Sequence, residues 1–113
     1  MHEISLMENI VEIVLREAEK ARASQVLKIG LRVGEKSGVV MEALTFAFEV
    51  VTKNTVAEGA VLEIEAIPLM GECQNCGHQF HAEDGFLVCD KCQGFAKILS
   101  GQELNIDFIE VNE

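Results

Sequence analysis

The chain has 113 residues and a formal net charge of −10, with nineteen Asp and Glu against nine Lys and Arg. Nucleic-acid binding needs clustered Lys and Arg against phosphate, so this balance argues against it and favours cations or basic protein surfaces as partners. No apolar run reaches the ~20 residues of a membrane span, and no basic region followed by an apolar stretch opens the chain; the expectation is a soluble cytoplasmic protein with no signal peptide and no membrane contact.

In the first segment Ile4, Met7, Val11, Val14, Ala18 and Ala21 recur at spacings of three and four, with Ile10 and Leu15 widening the stripe. This predicts an amphipathic helix. Ser5 and Glu8 fit a capping box at its start. The expected helix runs from Ser5 to about Ala23 and leaves Met1, His2 and Glu3 outside as a short arm. Next, VLKIGLRVG over 26–34 alternates Leu27, Ile29, Leu31 and Val33 with Lys28, Gly30 and Arg32, the pattern of a strand with one buried face. A Gly-Ser loop follows, and then Val40, Leu44, Phe48 and Val51 mark a second amphipathic helix over 39–54. Gly59 leads into a second strand over 60–67, where Leu62 and Ile64 oppose Glu63 and Glu65. Residues 103–111, ELNIDFIEV, form a third strand with Leu104, Ile106 and Phe108 on one face.

Three strands wet on one face and two one-sided helices predict an α+β fold, two helices packed on a small three-stranded mixed β-sheet. The strand–helix–strand order implies a right-handed crossover between parallel strands. The third strand can return antiparallel to the second, which would put the inserted module at the tip of that pair. Strand order stays open. Pro68 divides the chain into an α/β lobe of residues 1–68 with 101–113 and a small module of residues 69–100, inserted between the second and third strands.

The module carries CQNCGHQFHAEDGFLVCDKC, two Cys-x-x-Cys pairs, Cys73/Cys76 and Cys89/Cys92, with twelve residues between them. Each knuckle presents two sulfurs to one metal, and two knuckles complete a tetrahedron. Gly77 and Gly94, after each pair, suit a backbone that folds back under the metal with φ > 0. Four thiolates form a closed structural zinc shell with no open position for catalysis. A rubredoxin-like iron site uses the same ligands, and disulfides are a third reading that a cytosolic chain disfavours. Residues 71–95 hold only Phe80, Phe86, Leu87, Val88 and Phe95 as sizeable apolar anchors. That is too few for a core of its own, so order here is expected to depend on the metal, Zn(II). His78 and His81 lie between the knuckles, where four cysteines already fill the shell. They read as hydrogen-bonded or solvated histidines, with a role as accessory ligands to a second, transient metal as the alternative.

The chain opens MHE, then has a capped helix, LKIGLRVGE, a Phe-rich second helix, VAEG before the second strand and paired Cys-x-x-Cys knuckles. In that order these features resemble the HypA/HybF family of nickel metallochaperones over nearly the full chain. The resemblance implies that the protein carries Ni(II) as transient cargo for maturation of [NiFe]-hydrogenases and, in some bacteria, urease. It implies His2 as the central nickel residue, with the Met1 amine and Glu3 beside it. It further implies a HypB-type GTPase as partner and the [NiFe]-hydrogenase large-subunit precursor as client. Asp90 stands where the family commonly has Pro, and CQGFAKIL lacks the histidine that some members place after the last pair.

The chemistry of the terminus supports nickel on its own. The α-amine of Met1, the backbone nitrogen of His2 and its imidazole can wrap one cation in fused chelate rings. Square-planar nitrogen sets suit Ni²⁺ and Cu²⁺. The Glu3 amide or carboxylate, His78 or His81 are candidates to complete the shell. Met1 is expected to remain in place, because His2 is too large a second residue for initiator-methionine removal. The competing readings are a zinc-ribbon interaction or nucleic-acid-binding module without nickel, and a thiol oxidoreductase. No G-x-G-x-x-G, Walker A, Ser-His-Asp set or open zinc site is present, so the expectation is a carrier without catalytic residues.

Overall fold

The structure, a computed structural model, describes residues 3–83 and 85–112. Its elements in chain order are α1 (Glu3–Lys20), β1 (Val26–Gly34), α2 (Met41–Val51), β2 (Val61–Ile67), β3 (Met70–Cys73), β4 (Gln79–His81), β5 (Ala96–Ser100) and β6 (Leu104–Val111). They form two three-stranded sheets, ordered β2-β1-β6 and β4-β3-β5. The second sheet is the expected insertion, since β3 to β5 fall in sequence between β2 and β6. The chain divides into two compact units. One contains Met1–Leu31, Gly38–Glu65 and Asn105–Glu113; the other contains Arg32–Ser37 and Ala66–Leu104. Among the described residues, no helix is long and apolar enough to cross a membrane.

α1 begins earlier than the capping box predicts. Ser5 sits inside the first turn, and Glu3 belongs to the helix rather than to an arm ahead of it. A carboxylate in the first turn complements the positive end of the helix dipole, and Glu3 also accepts the backbone N–H of Val40 at 3.3 Å. Met1 and His2 lie outside the described residues. At the other end the helix stops at Lys20, short of Ala23. Arg22 turns left-handed (φ 57), and the N–H groups of Arg22 and Ala23 reach back to the carbonyls of Glu19 and Ala18 at 3.0 Å each. This is the Schellman termination. It usually needs glycine, so an arginine in that place gave periodicity no warning.

α2 is likewise shorter than its apolar pattern. Val40 is extended and offers no side-chain cap at the start. At the end Thr52, buried, donates from Oγ1 to the Phe48 carbonyl at 2.7 Å. The core of this first unit gathers Met7, Ile10, Val11, Val14 and Ala18 of α1 with Leu44, Ala47 and Phe48 of α2, Val26, Ile29 and Leu31 of β1, and Ala57.

β1 spans the residues its alternation predicts. The third sequence-predicted strand, β6, does not return beside the second: β1 is central and β6 pairs on its other side. Phe108, read from the sequence as part of the apolar row of β6, also lies off the core face. A side chain at Gly30 would run into the ring of Phe108, so Phe108 lies on the face to which Gly30 and Lys28 point. On that face Lys28 pairs with Glu63 at 3.0 Å, while Ile29 and Leu31 are buried on the other. Gly30 is therefore a packing residue, since only a missing Cβ lets an aromatic ring lie over the central strand.

Candidate metal centre

β3 is the spine of the second unit. It pairs antiparallel with β4, Met70 opposite His81 and Glu72 opposite Gln79. It also pairs antiparallel with β5, Cys73 opposite Ala96 and Glu72 opposite Lys97, with a register shift between Met70 and Gly71. One face of this ribbon is dry. Leu69, Cys73, Phe80, Ala82 and Cys89 are buried, with Leu87, Ala96 and Ile98 packed against them. Gly71 allows this closeness, because a Cβ there would press on Leu87, Ala96 and Phe80 within 3.3 Å. Three of the five expected anchors do not join the cluster: Phe86 (69% exposed), Phe95 (79%) and Val88 (42%) face outward. The apolar core is thus smaller than the sequence suggests, and two cysteines are part of it.

The four cysteines converge. Their Sγ atoms all lie within 4.8 Å of one another, with Cys73–Cys92 at 3.4 Å, Cys76–Cys89 at 3.6 Å and Cys76–Cys92 at 3.7 Å. Four sulfurs at the usual Zn–S distance in a regular tetrahedron stand about 3.8 Å apart, so the arrangement fits a single tetrahedral metal. A disulfide needs about 2.05 Å, and the four cysteines are unbridged.

The two knuckles are near copies. In the first, the N–H groups of Asn75 and Cys76 point at Cys73 Sγ at 3.4 and 3.5 Å. In the second, those of Lys91 and Cys92 point at Cys89 Sγ at the same distances. Gly77 donates to the Cys73 carbonyl at 3.0 Å and Gln93 to that of Cys89 at 2.9 Å. The left-handed residue is the one directly after each pair, Gly77 (φ 76) and Gln93 (φ 63), and not Gly94. Gly94 serves a different purpose. A side chain there would collide with the Asn75 amide and crowd Cys73 Sγ, at 3.3 Å.

These hydrogen bonds prepare the donors. The Cys76 N–H, and then that of Asn75, hold the Cys73 thiol down at about 6. The Cys92 and Lys91 N–H groups lower Cys89 in the same way. Cys92 goes up to about 12: the Gly94 amide favours its thiolate, but hydrogen bonds with the Cys73 and Cys76 sulfurs, burial and a contact with Cys89 outweigh that. Thiolates this close need a cation between them, so metal binding releases protons and strengthens as pH rises.

The two histidines have partners on the ribbon. His78 Nε2 meets Asp90 at 2.9 Å, and its ring stacks on Phe80 with centroids 5.8 Å apart. Asp90 therefore ties the second knuckle to the segment that follows the first. His81 Nε2 donates to Glu35 Oε1 at 2.9 Å, and its Nδ1 is 3.8 Å from Glu83. The same Glu35 oxygen accepts the Leu69 N–H at 2.8 Å. Among the described residues the only cluster of metal-ligating side chains is the four cysteines; the structure groups neither histidine with them, and places Glu3 at the start of α1.

Sequence reasoning missed Glu35. It sits in the loop after β1, whose backbone is laced to the ribbon's base: Glu35 N–H to the Ile67 carbonyl at 2.8 Å, Lys36 N–H to Gly101 at 2.7 Å. The Leu69 N–H, then His81, hold its carboxyl below the ordinary value. A carboxylate with a lowered folded pKa stabilises fully above its unfolded value of about 4.3 and ceases to do so as pH falls through the folded one. Glu35→Ala is expected to lower the thermal midpoint near neutrality and speed hydrogen exchange at Leu69. The gap from the parent protein should close as the solution is taken below that window.

Comparison with known proteins matches this arrangement as a whole. The family model for hydrogenase/urease nickel incorporation metallochaperones, HypA, covers residues 1–111. The hydrogenase maturation factor HypA of Dehalococcoides mccartyi (strain CBDB1) is 40% identical over 114 aligned residues, spanning 100% of this chain and 96% of that protein. That of Geobacter sulfurreducens is 42% identical over 112, spanning 98% and 99%. The solution structure of the nickel metallochaperone HypA from Helicobacter pylori superposes with a TM-score of 0.69 at 28% identity, covering 98% of this chain and 97% of that one. A second HypA solution structure superposes at 0.73 with 26% identity, covering 99% and 97%. A four-cysteine ribbon that falls between β2 and β6 in chain order, with family likeness over residues 1–111, places this chain in the HypA family of hydrogenase nickel-incorporation metallochaperones.

Proposed function

We propose that this protein carries Ni(II) at its amino terminus and passes it, with a HypB-type GTPase, toward the [NiFe]-hydrogenase large-subunit precursor, and in some settings toward urease. The observation that carries the reading is the full-length HypA match, which begins at residue 1 and so includes MHE. His2 supplies the imidazole, Met1 the amine, and Glu3 a further donor. Glu3 opens α1 and follows His2 directly in the chain, so its carboxylate is a near neighbour in sequence of the proposed chelate.

Cys73, Cys76, Cys89 and Cys92 hold a structural Zn(II), which cross-links the knuckles and offsets thiolate charge. The donor set is closed and the protein has no part in bond-making chemistry, so it acts as a non-enzymatic carrier in the cytoplasm. Direction comes from the partner. Donor and acceptor ligands must approach closely for nickel to cross without release to water, which places the GTPase on the helical unit near the terminus.

Metal analysis of the protein purified with an untagged terminus tests this reading. The expected result is one zinc that survives dialysis and one nickel that exchanges. Zinc without any nickel uptake would favour a ribbon that serves as an interaction module only.

A further inference from the structure

α2 buries Leu44, Ala47 and Phe48 but leaves a second apolar row outside. Val40 is 58% exposed, Phe46 64% and Val50 46%, and half-buried Ala43 lies between them. Residues 43, 46 and 50 are spaced three and four apart, so they share one helix face. This face is not the one the core uses. Glu42 and Glu49, both exposed, stand four residues before and three after Phe46 and border the row with negative charge. At the row's amino-terminal end the Val40 N–H is bonded to Glu3, the residue next in the chain to His2.

We infer that this α2 stripe is the docking surface for a partner that presents an apolar helix or loop bordered by Lys and Arg. Charge decides the occupant. A second copy of the chain would bring another −10 and a second acidic border against the first, whereas a basic-edged partner is attracted to it. A partner seated along Val40 and Phe46 reaches the end of the helix where the proposed nickel arm begins, so the inference deepens that reading and rests on it.

The test uses zinc-loaded full-length protein and a purified HypB-type GTPase. Phe46→Ser is expected to weaken binding at least about tenfold, as loss of an aromatic anchor does. Glu42→Lys with Glu49→Lys should weaken it strongly at low salt and less at high salt, where screening removes the attraction. Nickel uptake by the isolated Phe46→Ser protein should match the parent, with unchanged zinc and helix content. Equal GTPase affinity in both variants, or no binding by the parent, overturns the inference. So does a parent dimer that Phe46→Ser makes monomeric, which would assign the stripe to a second copy. The two readings fail separately: nickel retained in His2→Ala defeats the terminal site while leaving the GTPase titration of Phe46→Ser to stand by itself.

Discussion

Replacing His2 by alanine is expected to lower nickel affinity by more than about a hundredfold, since removing even an outer-shell partner of a ligand costs tenfold to a hundredfold. Adding two residues ahead of Met1 should do comparable damage although it alters no side chain. The Met1 nitrogen would become an amide, whose proton leaves far less readily than one from an ammonium, and the fused chelate rings would lose their terminal amine. Zinc content and thermal unfolding should be nearly unchanged in both variants, because residues 1 and 2 precede the first core residue of α1, Met7. Nickel calorimetry on the untagged, extended and His2→Ala proteins measures this. Unchanged affinity in the alanine variant would move the site away from the terminus, toward His78, His81 and the carboxylates beside them.

Cys73→Ala is expected to abolish stoichiometric zinc binding and to disorder residues 71–95, leaving α1 and α2 intact. Structural zinc in small modules contributes on the order of 10–16 kcal/mol of apparent free energy at neutral pH. The ribbon has little else: five buried residues, two of them cysteines of the four-sulfur cluster, with Phe86, Val88 and Phe95 turned outward. Cys73 is both a proposed ligand and a core residue, so the substitution is expected to remove packing and metal together. The first unit keeps its own core of α1, α2 and β1 side chains. Metal analysis with residue-resolved hydrogen exchange separates the two units. If the variant holds one zinc per chain, or if the helices unfold with the ribbon, this division of stability is wrong.

Short-range rules account for everything that was legible along the chain. Alternation located β1 to the residue, because an apolar period of two over nine residues has one reading. Two Cys-x-x-Cys pairs announced a tetrahedral site, because the knuckle is a local structure whose geometry needs no distant residue. Terminal MHE together with those knuckles pointed to the family. The amphipathic stripes located both helices, but not their ends, because ends are set by hydrogen bonds that periodicity does not contain. Arg22 in a left-handed turn ends α1, and the Thr52 hydroxyl, bonded to the Phe48 carbonyl, closes α2.

The remainder depends on contacts between residues far apart in the chain. Strand order is a competition among long-range pairings of similar local quality, and β1 takes the centre with β6 on its far side. Phe108 reads as core until Gly30 is seen to make room for it on the face that carries Lys28. The left-handed position of the second knuckle falls on Gln93, where the sequence offered Gly94, because Gly94 answers a steric demand from Asn75 and Cys73 instead. Glu35 is separated from its partners Leu69 and His81 by 34 and 46 residues. No local pattern marks a carboxylate for such a contact; it follows from the loop of 32–37 folding with the ribbon, where an unbonded Leu69 amide would otherwise need an acceptor.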